Sequence, residues 1–176
     1  MDAFLLHSLS TAIIARIFAR KSMIQEKDSF DFFLSGLLHD FGKIVFAHFI
    51  PDDFKRALQT AKDEGLPLYE AEQIIFAADH AQIGSLLGEK WKLPAHLIAC
   101  IRNHHCRDRE ESLIIDAVSA ANQVSKELKI GFGGENRVEN LPAGILERFG
   151  AGMQSVIHSL GNIHAETEKA LIFIQK

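Results

Sequence analysis

Nine histidines stand against one tyrosine and one tryptophan in this chain of 176 residues. Histidine is the commonest metal ligand and a common acid–base group, so the first question is whether these residues form a pattern. Five segments carry candidates: His7, His39-Asp40, His80, His104-His105 and Asp116. A single helix-borne histidine such as His7 or His80 is more often a packing or surface residue than a ligand. An aspartate inside an apolar run, as in Ile114-Ile115-Asp116-Ala117-Val118, weighs more. A buried carboxylate is costly unless it is paired or binds a cation. Adjacent histidines such as His104 and His105 project about 100° apart on a helix and can line one cavity.

Taken together the residues fit a metal centre, because His and Asp ligands suit Zn, Fe, Mn, Co or Ni. One divalent ion could be held by His7, His39, Asp40 and Asp116. A second could be held by His80, His104 and His105. Asp40 is the natural bridge, since one carboxylate can span two cations about 3.5–4 Å apart. Lys43 follows the pair by three residues, across Gly42. It reads equally as a solvated helix-end lysine and as a cation that neutralises phosphate oxygens. Asp79 reads as a group that orients His80. His48, His96, His158 and His164 have no partner pattern, and the lone thiol of Cys106 is a weak ligand signal.

These ligands need rigid elements from several parts of the chain. The apolar spacing is helical nearly throughout, and no segment alternates convincingly with a period of two. The class is all-α: one helical-bundle domain over residues 1–176, with the metal site in the bundle core. The first helix spans 3–20. Asp28 or Ser29 caps a second helix that runs through Leu38, and a short helix covers Ile44 to Phe49. Pro51 opens the next helix and Gly65 ends it. Residues 68–91 read as helical with a break near Asp79. Leu93-Pro94 opens a helix to about His104. A polar loop, Arg107 to Glu111, leads to a helix from Leu113 to Leu128. Gly131-Phe132-Gly133-Gly134-Glu135-Asn136 reads as a flexible connector, since no strand precedes it and no Gly-Lys-Ser/Thr follows. Helices over Ala143–Phe149 and Gln154–Ile174 finish the chain.

Composition narrows the class further. Hydrophobic residues make up 47% and charged residues 24%, the balance of an ordinary globular domain rather than a disordered one. The net charge of -4 supplies no basic field, so a nucleic-acid polymer is not an expected partner. Cys100 and Cys106 form no disulfide framework, which points to a reducing, cytoplasmic compartment. The apolar start from Phe4 to Phe18 carries His7, Ser8, Ser10, Thr11 and Arg16, so it reads as neither a signal peptide nor a membrane span.

The same residues resemble the HD superfamily of metal-dependent phosphohydrolases, and more narrowly its HDOD branch. The resemblance runs from His7-Ser8-Leu9 through Gly36 to Lys43, then Gly65-Leu66-Pro67 and Asp79-His80-Ala81-Gln82-Ile83-Gly84. It ends with Trp91-Lys92-Leu93-Pro94, His104-His105 and Asp116-Ala117. It implies metal ligands at His7, His39, Asp40, His80, His104, His105 and Asp116, and a phosphate contact at Lys43. His80 with His104-His105 is similar to the dinuclear HD-GYP phosphodiesterases. Cys106-Arg107-Asp108-Arg109 replaces their Gly-Tyr-Pro signature, so cyclic-di-GMP is not carried over as a substrate. Trinuclear relatives have a Glu one turn before the first histidine; Ala3 stands there, which implies two metals. The implied activity is hydrolysis of a nucleotide or other phosphoester in bacterial signalling. The alternative is a non-catalytic metal- or nucleotide-binding output module. HDOD domains usually have a helical portion before the first histidine helix, so a missing N-terminal segment or a protein partner is a further expectation.

Overall fold

The structure is a computed structural model and describes residues 2–106, 111–150 and 152–174. Every regular element among them is a helix: α1 (Asp2–Lys21), α2 (Glu26–Leu38), α3 (Phe41–Phe49), α4 (Pro51–Glu64), α5 (Leu68–Phe76), α6 (His80–Lys90), α7 (Ala95–Asn103), α8 (Leu113–Glu127), α9 (Ala143–Phe149), α10 (Met153–Ser159) and α11 (Ile163–Ile174). The all-α reading holds. Residues 107–110 of the expected polar loop lie outside the described residues.

Local chemistry explains most boundaries. Pro51 opens α4 with Asp52 and Asp53 in its first turn, where acids favour the positive end of the dipole. Gly65 closes it at φ 65°, a left-handed cap that favours glycine. Between α5 and α6 the chain breaks as expected, and Asp79 is the cap. Its carboxylate accepts the Gln82 amide N–H while the Gln82 side chain accepts the Asp79 N–H, a reciprocal capping box.

Two expectations need correction. The second helix starts at Glu26, so Asp28 and Ser29 lie inside it. The Ser29 hydroxyl donates to the Glu26 carbonyl instead of capping the end, and the Glu26 carboxylate bonds Arg16 and Arg20 of α1. The last helix is two, because Gly161 turns left-handed at φ 74° and Asn162 then accepts the Ala165 N–H to start α11.

α1 is the axis of the fold and packs against α2, α8 and α11. Ile14, Ala15, Phe18 and Ala19 bury against Ala117, Val118, Ala121 and Val124 of α8 in one core. Phe18 stacks on Phe149 with ring centroids 4.4 Å apart. A second core joins α3, α4 and α5 through Phe46, Phe54, Ala57, Ala61 and Leu68. By length and composition α1 could cross a membrane, but more than half of it is buried inside the protein. Its polar residues His7, Ser8, Ser10 and Thr11 are all buried too. These are the marks of a core helix that carries chemistry on one face.

Two glycines set the helix spacing that the site needs. A Cβ on Gly36 would lie 2.7 Å from the Ala12 Cα, so α2 touches α1 there backbone to backbone. A Cβ on Gly42 would lie 1.9 Å from the His80 carbonyl oxygen, so α3 is pressed against the start of α6. Backbone cannot yield as a flexible side chain can. Gly36→Ala should therefore cost about 1–3 kcal/mol of stability, the usual range for overpacking. Urea unfolding measures it, and an unchanged midpoint would contradict the close approach.

Candidate metal centre

Asp40 sits between the end of α2 and the start of α3 and is 1% exposed. Its two carboxylate oxygens face different histidines. Oδ2 lies 3.5 Å from His7 Nε2 and 3.3 Å from His39 Nε2. Oδ1 lies 3.2 Å from His80 Nε2 and 3.6 Å from His104 Nε2. His105 joins the second side, its Nε2 3.0 Å from His80 Nε2 and its ring stacked on Tyr69. Two groups of ligand atoms result: His7, His39 and Asp40, and Asp40, His80, His104 and His105. Within each group the atoms lie within 4.8 Å of one another.

Four of the five rings, those of His7, His39, His80 and His104, have a partner at the far nitrogen. His39 Nδ1–H donates to the Gly36 carbonyl at 2.7 Å, and His104 Nδ1–H donates to the Ile101 carbonyl at 2.8 Å. His80 Nδ1–H donates to Glu72 Oε2 at 2.6 Å. His7 Nδ1 lies 3.2 Å from the Ser125 hydroxyl. A proton fixed on Nδ1 leaves the Nε2 lone pair free to bind a cation. The Nε2 atoms of His7, His39 and His104, with Asp40 Oδ1, are buried and make no hydrogen bond. Buried polar atoms without partners are rare and costly, and an ion is one of the few things that relieves them together. The donor set thus fits a divalent cation.

Lys43 is buried rather than solvated. Its ammonium donates to Asp40 Oδ2 and to the Gly133 carbonyl, both at 2.8 Å. The second bond corrects the reading of residues 131–136 as a flexible connector. That segment is a pinned strap over the site. Phe132 N–H donates to the Ala3 carbonyl at 2.8 Å, and a Cβ on Gly133 would strike the His7 ring at 2.7 Å. The Glu135 carboxylate accepts from Leu68 N–H at 2.9 Å and from the buried Lys126 ammonium at 2.6 Å. The long Gly-rich sequence is required by close approach, not by mobility.

Asp116 is not brought to either group. It starts α8 and its Oδ2 lies 3.5 Å from Arg148 Nη1. Asp79 does not orient His80 either, because its carboxylate is used by the capping box. Glu72 holds that place instead, fully buried on α5 and bonded to both the Nδ1 and the backbone N–H of His80. Sequence reasoning missed Glu72, since it lies eight residues and a helix break before its partner. On α8 the Asn122 amide is buried and its Oδ1 makes no hydrogen bond.

Burial dominates the protonation of the rings. It pushes His104 down to about 4, and it also lowers His39 and His105 from the ordinary histidine value. On His80 burial is outweighed by the Glu72 carboxylate, so that ring is raised. Burial alone would raise Asp40, but neighbouring His39 and Lys43 hold it well below the usual carboxylate range. The three lowered rings stay neutral in the folded chain and take up protons on unfolding. The stability they lend is present above about pH 6.5 and is lost as pH falls toward about 4. His80 titrates above this window and Asp40 below it. The metal-free chain should lose up to about 1.4 kcal/mol per pH unit per proton between pH 6.5 and 4. Urea midpoints at pH 7 and pH 5 test this, and equal midpoints would contradict neutral buried rings.

Known proteins share this arrangement of helices. The chain is 30% identical over 122 residues to an uncharacterised protein of Treponema pallidum (strain Nichols), covering 68% of this chain and 23% of that one. The crystal structure of an HDOD domain protein of unknown function from Geobacter sulfurreducens is similar at a TM-score of 0.71, with 24% identity over 98% of this chain and 60% of that one. A candidate phosphohydrolase from Shewanella amazonensis SB2B matches at a TM-score of 0.70, with 20% identity over 93% of this chain and 60% of that one. The chain therefore spans less than two thirds of each of these relatives. The HDOD domain family matches residues 1–106, more than half of the sequence and the stretch that holds His7, His39, Asp40, His80, His104 and His105. This chain belongs to the HDOD domain family.

Proposed function

We propose that the chain is a metal-dependent phosphohydrolase or phosphodiesterase-like domain with a dinuclear centre. It acts on a nucleotide or other phosphoester in bacterial signalling. The observation that carries this reading is the Asp40 carboxylate, whose two oxygens address two separate histidine groups. His7 and His39 with Asp40 Oδ2 would hold one divalent ion. His80, His104 and His105 with Asp40 Oδ1 would hold the other. Divalent ions so placed activate water for attack on phosphorus and offset charge on the phosphoryl oxygens.

The chain's own groups have defined tasks in this reading. Asp40 keeps the two histidine groups in register. Glu72 Oε2 fixes the proton on His80 Nδ1, so Nε2 stays directed at the centre. Lys43 Nζ is the cation nearest Asp40 and would meet a phosphoryl oxygen once it turns from Gly133. The strap at Gly133 keeps bulk water off His7 and Asp40, which strengthens every charge interaction inside. Beside the strap runs a groove of about 750 Å³, lined in part by Leu58, Leu66 and Phe132 and by Lys55, Lys62 and Arg137. Apolar walls with cationic groups suit the organic and phosphate parts of a phosphoester.

A second reading has its own support. Lys43 is already bonded to Asp40 and Gly133, and the strap closes the centre. A domain that binds metal and signals without turnover would look the same. The two readings separate on one measurement. Robust metal-dependent hydrolysis in a broad phosphoester panel favours the enzyme; a metal-loaded chain inert to the whole panel favours the signalling module.

Two substitutions probe the centre. Asp40→Ala should abolish both bound metal, read by elemental analysis without an affinity tag, and any hydrolysis the natural chain shows. Metal lost with hydrolysis unchanged would refute the mechanism. Glu72→Gln should weaken metal binding about 10- to 100-fold, the usual effect of removing a group that orients a ligand histidine. Competition with a metal-binding dye measures this, and an unchanged affinity would deny Glu72 that role.

A further inference from the structure

The groove beside the strap is walled by α4 on one side and by residues 132 and 134–137 on the other. Its volume of about 750 Å³ is that of a small-molecule site. Among the described residues, neither Lys43 nor any histidine around Asp40 lines it. The groove is thus a space of its own, and the strap serves both it and the centre. Phe132 and Gly134 line the groove, while Gly133 between them lies on the His7 ring and accepts from Lys43.

The charge of the groove runs against that of the chain. The whole sequence carries -4, yet Lys55, Lys62 and Arg137 line this space with a single carboxylate, Glu135. That carboxylate is already taken by Lys126 and the Leu68 N–H. Lys62 is exposed and forms no ion pair among the described residues. Lys55 has an exposed contact with Asp52 at 3.4 Å, which is worth little. Arg137 uses Nη1 on the Gly65 carbonyl. Leu58, Leu66 and Phe132 add apolar walls, and the Phe132 side is 44% exposed. An open aromatic ring with uncompensated cations suits a ligand that has a flat apolar body and a phosphate.

We propose that this groove is a regulatory site, separate from the metal centre, for a phosphorylated ligand with an aromatic body, the chemistry of a nucleotide. Its phosphate meets Lys55 and Lys62 of α4 together with Arg137 of the strap, and its ring covers Phe132. A ligand so held ties the strap to α4. Gly133 is then kept on His7, and Lys43 is kept on Gly133. Under the enzyme reading above, on which this consequence rests, Lys43 is withheld from the phosphoryl oxygen and the occupant inhibits. Binding at one site and strap closure at the other favour each other by the same factor.

The test is titration of the metal-free natural chain, in chelator, with ADP carrying a fluorescent N-methylanthraniloyl group. Saturable binding is expected, with displacement by plain ADP and much weaker displacement by adenosine or pyrophosphate alone. Lys62→Glu and Phe132→Ala should each weaken binding about tenfold, the scale of one charge-assisted contact or one stacked base. Lys55→Glu replaces either variant that fails to fold by circular dichroism. Hydrogen exchange of the amides of residues 131–137 should slow when plain ADP is bound. No saturable binding up to about 1 mM overturns the proposal. So does binding that appears only with Co²⁺ present, binding that the variants leave unchanged, or binding that leaves strap exchange unaltered. These readouts need neither metal nor turnover, so a chain inert to every phosphoester refutes the enzyme reading and not this site.

Discussion

One buried carboxylate organises this molecule. Asp40 has almost no contact with solvent, yet five charged or ionisable groups stand within 3.6 Å of it: His7, His39, His80, His104 and Lys43. A charge so far from water survives only among groups that compensate it. The fold supplies them from three helices, α1, α3 and α6, and from the C-terminal ends of α2 and α7. Gly36 lets α2 close on α1, which brings His39 beside His7. Gly42 lets α3 close on α6, which brings His80 beside Asp40. The bare backbones at these two contacts are the means by which distant ligands reach one atom pair.

The sequence carried much of this. Helical spacing and the punctuation of Pro51, Gly65 and Asp79 were enough to place most helices. Six of the ligand candidates, His7, His39, Asp40, His80, His104 and His105, are brought together as their residue types imply. Asp116 misled because an acid in an apolar helix start looks unpaired from sequence. Its partner Arg148 is 32 residues further on, and only the packing of α9 near α8 reveals it. Glu72 was hidden for the same reason in reverse: the turn between α5 and α6 folds it back onto His80.

The strap shows why local signals alone read residues 131–136 as slack. Glycine-rich sequence permits mobility, but it also permits backbone to lie directly on another group. Here the second property is used. Gly131 and Gly133 lie against α1 and the His7 ring, where any side chain would collide. Glu135, tied to Lys126 and to the start of α5, anchors the far end. The roof of the centre thus comes from beyond residue 106, outside the stretch that matches the HDOD family.

The ligands also lie far apart along the chain, with His7 near one end of the matched stretch and His105 near the other. An unfolded chain holds no such constellation, so a cation that prefers it binds the native state alone. Mass action then couples folding to the ion: at a free concentration a hundred times its dissociation constant, stability rises by about 2.7 kcal/mol. That is a sizeable part of what a small domain possesses. The ion supply of the surrounding medium would thereby set how long this domain persists, whatever chemistry its centre performs.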